Sequence, residues 1–136
     1  TGYISGADCK GGGRPPRRYY RPGGGMPLGI HLCEDPEAGW KALEPHALHV
    51  VTEYAKWAAL EGDATNSPFK GLDNAAALRA SGLFVAMTPE QLLGMVAANP
   101  AINMIGFQPL LGGLAPEEGW KCLKLLEQVL PQIRAL

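Results

Sequence analysis

The sequence has few cysteines, and their spacing follows no known pairing pattern. Among 136 residues only Cys9, Cys33 and Cys122 are cysteine. They are odd in number, widely spaced and without a C-x-x-C pair, which excludes a disulfide framework and a zinc ribbon. We therefore expect free thiols.

Long hydrophobic runs and a charge excess are also missing. No stretch approaches the roughly 18 apolar residues of a membrane-spanning helix, and residues 1–10 lack the charged start and apolar run of a secretion signal. Twelve basic and thirteen acidic residues give a net charge of −1, so no overall field attracts nucleic acid or an anionic membrane. We expect a cytoplasmic protein with neither of these partners.

Motifs of common enzyme classes are absent too. The sequence has no G-x-S-x-G, no G-x-x-x-x-G-K-S/T and no G-x-G-x-x-G after a strand, which leaves hydrolase and nucleotide-triphosphatase assignments without support. His46, His49 and Glu53 could share a helix face as metal ligands do, but H-x-x-H is not the i, i+4 pair of zinc enzymes. We expect no metal site.

The first 25 residues differ in composition from the rest. Residues 11–25 read GGGRPPRRYYRPGGG, which cannot form one regular helix or strand, so residues 1–25 are predicted to be a loop or linker. Arginines beside tyrosines could bind phosphate or stack on bases. A solvated loop is the alternative that we expect.

The remaining residues, 26–136, alternate strand and helix signals. Residues 26–33 place apolar side chains at every second position, and D-P-E at 35–37 starts a helix with an apolar stripe from Trp40 to Trp57 that Pro45 bends or restarts. A short helix over 74–80, a capping box at 88–91 with a helix to 98, a strand over 102–107 and a helix from Pro116 follow. This order predicts βα units around a parallel sheet, the α/β class.

Four segments of residues 26–136 also resemble one family. They are LCEDPEAGW at 32–40, PHALH at 45–49 continuing through Tyr54 and Trp57, TPEQ at 88–91, and QPLLGGLAPE at 108–117 followed by Trp120. In this order and spacing they resemble the bacterial luciferase-like flavin-dependent monooxygenases.

The resemblance implies an oxidoreductase that uses reduced flavin and O₂ on a small organic substrate. It implies the C-terminal portion of a (β/α)₈ TIM barrel, about two βα units with extra helices, in an enzyme that forms a homo-oligomer. The cofactor would be FMN, or alternatively F420. Because the earlier strands carry most flavin contacts in the family, tight binding by this chain alone is not expected. Since 136 residues are about half of such a barrel and the sequence opens on Thr1, we expect a piece of a longer chain.

Barrel active sites lie at the carboxyl ends of the strands, which selects candidate cofactor or substrate residues. Gln108 could hydrogen-bond a ring or carbonyl, and Gly112 and Gly113 allow close backbone approach; alternatively, the glycines only turn the chain and Gln108 faces water. His31 could point at the cofactor, or be a buried, hydrogen-bonded histidine. No catalytic residue is assigned, and the arginines of the linker could face an anionic cofactor or a neighbouring subunit.

A second class of function stays open from the sequence. The apolar stripe from Trp40 to Trp57 could serve a helix-mediated association module, a non-catalytic fragment derived from the same fold. Exposed apolar helix surface and open strand edges would make such a fragment self-associate.

Overall fold

The computed structural model describes residues 27–62, 67, 69–102 and 104–136, and the predicted loop or linker of residues 1–25 lies outside them. Their elements are β1 (Gly29–Leu32), α1 (Pro36–Leu60), α2 (Ala75–Ser81), β2 (Phe84–Met87), α3 (Pro89–Ala98), a 3₁₀ turn (Leu111–Gly113) and α4 (Pro116–Arg134). The predicted α/β class is confirmed at this level.

Local capping explains where two of the helices begin. The Asp35 side chain accepts hydrogen bonds from the backbone N–H groups of Glu37 and Ala38 at the start of α1. At α3, Gln91 N–H donates to Thr88 Oγ1 at 3.2 Å and Thr88 N–H donates to Gln91 Oε1 at 2.9 Å, the predicted capping box.

Pro45 does not end or restart α1, which runs without a break from Pro36 to Leu60. Pro45 and Lys41, four residues before it, are both exposed. Water can therefore satisfy the Lys41 carbonyl that loses its helical partner, which lowers the cost of proline inside a helix.

The strands differ from the prediction in two places. β1 lies within the predicted 26–33 strand and pairs in parallel with β2, with Ile30 opposite Val85. β2 was not predicted, although the apolar run at 83–87 between a glycine and the T-P start is the signal of a buried strand. The described residues of the predicted strand over 102–107 contribute one parallel bridge, Phe107 to Ile30, with Ile30 N–H donating to the Gly106 carbonyl at 3.3 Å.

Helices cover both faces of this small sheet. One face packs on α1, α2 and the 3₁₀ turn through a core that contains Trp40, Leu43, Leu78, Phe84 and Leu111. The other face packs on α3 and α4 through a core that contains Ile30, Leu32, Met87, Leu92 and Val129. Because both faces of the parallel strands are covered, β1 is buried along its whole length, His31 included, and β2 reads as a continuous apolar run.

The described residues hold a small sheet of two paired parallel strands and one bridge. In a barrel the strands follow one another in chain order and the helices lie on the outer face alone. Here β1 lies between β2 and the Phe107 bridge, so the chain moves first one way along the sheet and then back. The helices that follow β1 and the helices that follow β2 pack on opposite faces of the sheet.

Candidate functional site

The carboxyl ends of the two parallel strands meet at one edge of the sheet. Glu34 follows β1 at this edge and Thr88 follows β2. An open groove of about 400 Å³ lies there, and its lining comes from both strand ends and from α3 and α4: Glu34, Thr88, Pro89, Glu90, Leu93, Leu125, Gln128, Val129 and Gln132. Ligands of open α/β sheets bind outside the carboxyl ends of the strands, so this groove is a candidate site.

The lining of the groove is polar and acidic. Glu34 and Glu90 supply carboxylates, and Gln128 and Gln132 supply amides, and none of the described residues that line the groove is lysine or arginine. A phosphate would therefore find no cation among these described residues, whereas neutral hydrogen-bonding groups and cations would find acceptors.

Two cysteines complete the hydrogen bonding of β1 beside this edge. Cys33 N–H donates to the Met87 carbonyl at 3.0 Å, which extends the β1–β2 ladder. On the other side of β1, Leu32 N–H donates to Cys122 Sγ at 3.2 Å, where a further strand would otherwise accept. Both thiols are free, while Cys9 lies outside the described residues.

The surroundings of Cys33 and Cys122 lower the reactivity of both thiols. Burial raises the pKa of Cys33, and the nearby Asp35 carboxylate raises that pKa further. Burial also raises the pKa of Cys122. Because the thiolate is the reactive form, both groups are poor nucleophiles at neutral pH and serve packing and backbone hydrogen bonding.

His31 is the one buried polar side chain in the described part of the core, with 4% of its surface exposed. It lies opposite Ala86, on the α1 face of the sheet. Within the described residues Nδ1 has no hydrogen-bond partner. Burial lowers the pKa of His31, and the Glu118 carboxylate acts in the opposite direction. The ring is therefore neutral at pH 7.

Gln108 is exposed and bonded to the strand beside it. Its Nε2 donates to the Leu28 carbonyl at 3.4 Å, at the amino end of β1. A Cβ on Gly29 would lie 3.7 Å from Gln108 Cδ, which puts this side chain on the same face as His31. The amide is therefore turned away from the groove at the carboxyl edge.

Gly112 and Gly113 have different reasons to be glycine. Both have positive φ, +55° and +81°. A Cβ on Gly112 would overlap the His46 carbonyl, and the Gly112 carbonyl lies 3.0 Å from His46 Nδ1, so close packing of the 3₁₀ turn on α1 requires glycine. Nothing lies within 4 Å of a Cβ on Gly113, so its backbone is open to a ligand.

The predicted residues and the groove lie on different sides of the sheet. His31 and Gln108 share the α1 face, and Gly112 also packs on α1, whereas the groove belongs to the α3 and α4 side. Sequence reasoning did not select Glu34, Thr88 or the glutamines of α4. The signal for the first two is their position directly after a strand; Gln128 and Gln132 carry none.

The fold and the groove define a class, a mixed α/β domain with parallel strands and an acidic carboxyl edge. Comparison with known proteins adds no narrower identity, because no family model, no curated protein and no solved structure matches the chain. Among the described residues, no helix is both long and apolar enough to cross a membrane. In the same part of the chain, no three histidine, cysteine or acidic side chains converge as metal ligands would.

Proposed function

We propose that this chain is the C-terminal part of a luciferase-like, flavin-dependent monooxygenase that acts on a small organic substrate. The observation that carries the proposal is the position of three family-like segments. E-D-P lies at the β1–α1 junction, T-P-E-Q forms the capping box after β2, and Q-P-L-L-G-G-L-A-P-E spans the turn before α4. Each segment stands at a strand-to-helix junction or directly before a helix, where βα units carry their functional loops.

In this proposal three groups of the described residues are the candidates for contact with the flavin. Reduced FMN would supply the electrons for oxygen activation when it is bound, whereas F420 would supply a hydride instead. Neutral His31, the Gln108 amide and the open backbone of Gly113 are groups that can orient a ring or exclude water. The acidic groove offers nothing to a phosphate, so in this proposal residues outside the described part hold the phosphate end.

A second candidate is the non-catalytic association module. Two observations favour it: helices cover both faces of the sheet, and β1 lies between β2 and the Phe107 bridge. In a closed barrel one face of each strand points into the interior, so the arrangement of the described residues is complete without a barrel lumen.

An NMR titration with reduced FMN under anaerobic conditions distinguishes the flavin protein from the association module. For the flavin protein we expect weak but saturable shifts of the backbone amides of His31, Gln108 and Gly113. Gln108→Ala should weaken this binding several-fold, and the matched control Gln128→Ala, on the other side of the sheet, should not. No saturable shift at millimolar flavin or F420 would leave the association module as the better reading.

A further inference from the structure

The end of α1 carries exposed aromatic side chains that contact one another. The Tyr54 and Trp57 rings pack edge to face with centroids 5.1 Å apart, and the Tyr54 and Phe69 rings lie 5.3 Å apart. Tyr54 is 47% exposed and Trp57 is 56% exposed. We call Tyr54, Trp57 and Phe69 the aromatic shelf. Single exposed apolar residues are common, but a contiguous aromatic patch marks an interaction surface.

The shelf is exposed because α1 is much longer than the sheet that it covers. Its 25 residues span about 37 Å, whereas the four residues of β1 span about 13 Å. The last buried residue of α1 is Val51, and Trp57 lies six residues, about 9 Å, beyond it. The shelf therefore projects past the amino end of β1.

The first described residues lie at this same end of the sheet. Leu28 N–H donates to the Leu83 carbonyl at 2.7 Å, and Leu28 packs against the same core as Phe69. Residues 14–21 precede Pro27 by six to thirteen positions. At about 3.5 Å per extended residue, even the shorter of these spans, about 20 Å, exceeds the overhang of α1.

The chemistry of residues 14–21 matches the shelf. They read RPPRRYYR, four arginines with two prolines and two tyrosines. Guanidinium groups stack on aromatic faces, and proline-containing segments dock on aromatic surfaces because little chain entropy is lost. The described residues contain one contact of an arginine with an aromatic ring, because the Arg79 guanidinium lies 5.6 Å from the centre of the Trp40 ring.

Charge favours the same pairing. Residues 1–26 hold five of the twelve cationic side chains and one of the thirteen carboxylates, so the remainder of the chain is acidic. Glu61 is exposed directly after α1, and Glu53 on the same helix is 38% exposed and pairs with Lys56. A basic segment near the shelf therefore meets the exposed carboxylate of Glu61, whereas Glu53 is already paired with Lys56.

We propose that the aromatic shelf binds the arginine-rich segment of residues 14–21 of the same chain. This interaction is independent of the flavin proposal, because neither the groove nor His31 takes part in it. It would cover apolar surface that otherwise promotes association between copies of the chain.

Tryptophan quenching in the full chain tests the proposal, because each of the three tryptophans has a distinct environment. Trp40 is buried, at 5% exposure, and exposed Trp120 is removed by Trp120→Phe so that Trp57 dominates quenching by acrylamide. In that background, replacing Arg17, Arg18 and Arg21 by serine should raise the quenching of Trp57 at least about two-fold, since the stacking contacts are lost. Lysine at the same positions keeps the charge but not the planar group, and an intermediate value is expected.

The control is the Trp57→Phe background, in which Trp120 reports and the arginine replacements should change nothing. Unaltered melting curves establish that the variants fold. Equal quenching of Trp57 with arginine and with serine would overturn the proposal. Shielding that rises with protein concentration, together with a dimer mass by light scattering, would also overturn it, because a second copy would then supply the occupant.

Discussion

At the scale of single residues, His31 is the side chain with the clearest functional potential. It is buried on the α1 face, and Nδ1 lacks a partner among the described residues. A buried polar atom without a hydrogen bond costs free energy, which a core position usually avoids. Its presence suits a site where a ligand or a water supplies the missing partner.

The pH dependence of stability follows from this burial. The folded chain holds the pKa of His31 below its ordinary value of 6.5, so the unfolded chain binds a proton first as the pH falls. The histidine's contribution is fully present above pH 6.5 and is lost as the pH falls through that value toward the folded pKa. We expect urea unfolding to give a lower free energy of unfolding at pH 5 than at pH 7.

Variants separate His31 from the carboxylates that also titrate at low pH. His31→Leu should reduce the difference between pH 7 and pH 5, and its stability at pH 7 should change little because it leaves no hydrogen-bond partner behind. The exposed His49→Ala is the matched control and should keep the full difference. An undiminished difference in His31→Leu would contradict the assignment.

At the scale of elements, two glycines of the 3₁₀ turn allow the effect of packing on α1 to be separated from the effect of flavin binding. Gly112→Ala combines positive φ with overlap of the His46 carbonyl, whereas Gly113→Ala meets open space. We expect Gly113→Ala to cost about 1–2 kcal/mol for its backbone conformation alone. Gly112→Ala should cost about 1–3 kcal/mol more, because the turn must also move off α1.

Chemical denaturation of both variants gives this comparison. If Gly113 belongs to a flavin pocket, Gly113→Ala should also weaken the FMN-dependent NMR shifts beyond its effect on stability. Equal destabilisation of the two variants would show that the turn does not pack on His46 as the structure has it.

What the sequence could predict at this scale depends on how local each signal is. The Asp35 cap and the Thr88–Gln91 capping box need only neighbouring residues, and both were predicted. Strand formation depends on distant partners, so residues 102–107 looked like a strand but form one bridge, while β2 was missed. The orientation of Gln108 toward Leu28 depends on that same pairing and has no local signal.

At the scale of the whole molecule, the sheet of the described residues has one central strand, and helices cover both of its faces. The apolar residues of the strands predict that the strands are buried. The same pattern is compatible with a barrel and with an open sheet, so it does not predict which of the two forms. The direction in which each connection crosses the sheet distinguishes a barrel from an open sheet. No single residue in the connecting segments predicts that direction. The groove depends on that direction, because α3 and α4 form its wall.

The proposed flavin enzyme makes a prediction about the size of the native product. A closed (β/α)₈ barrel takes about 250 residues, whereas this sequence has 136 residues and a mass of 14.4 kDa. We therefore expect these residues in the source cells within a chain well above 14.4 kDa, with a peptide that precedes Thr1. Intact-mass spectrometry of the native product, followed by peptide mapping, measures this directly. A native mass of 14.4 kDa would contradict the barrel enzyme, because eight βα units cannot come from one such chain. It would favour the association module, in which helices cover both faces of a small sheet.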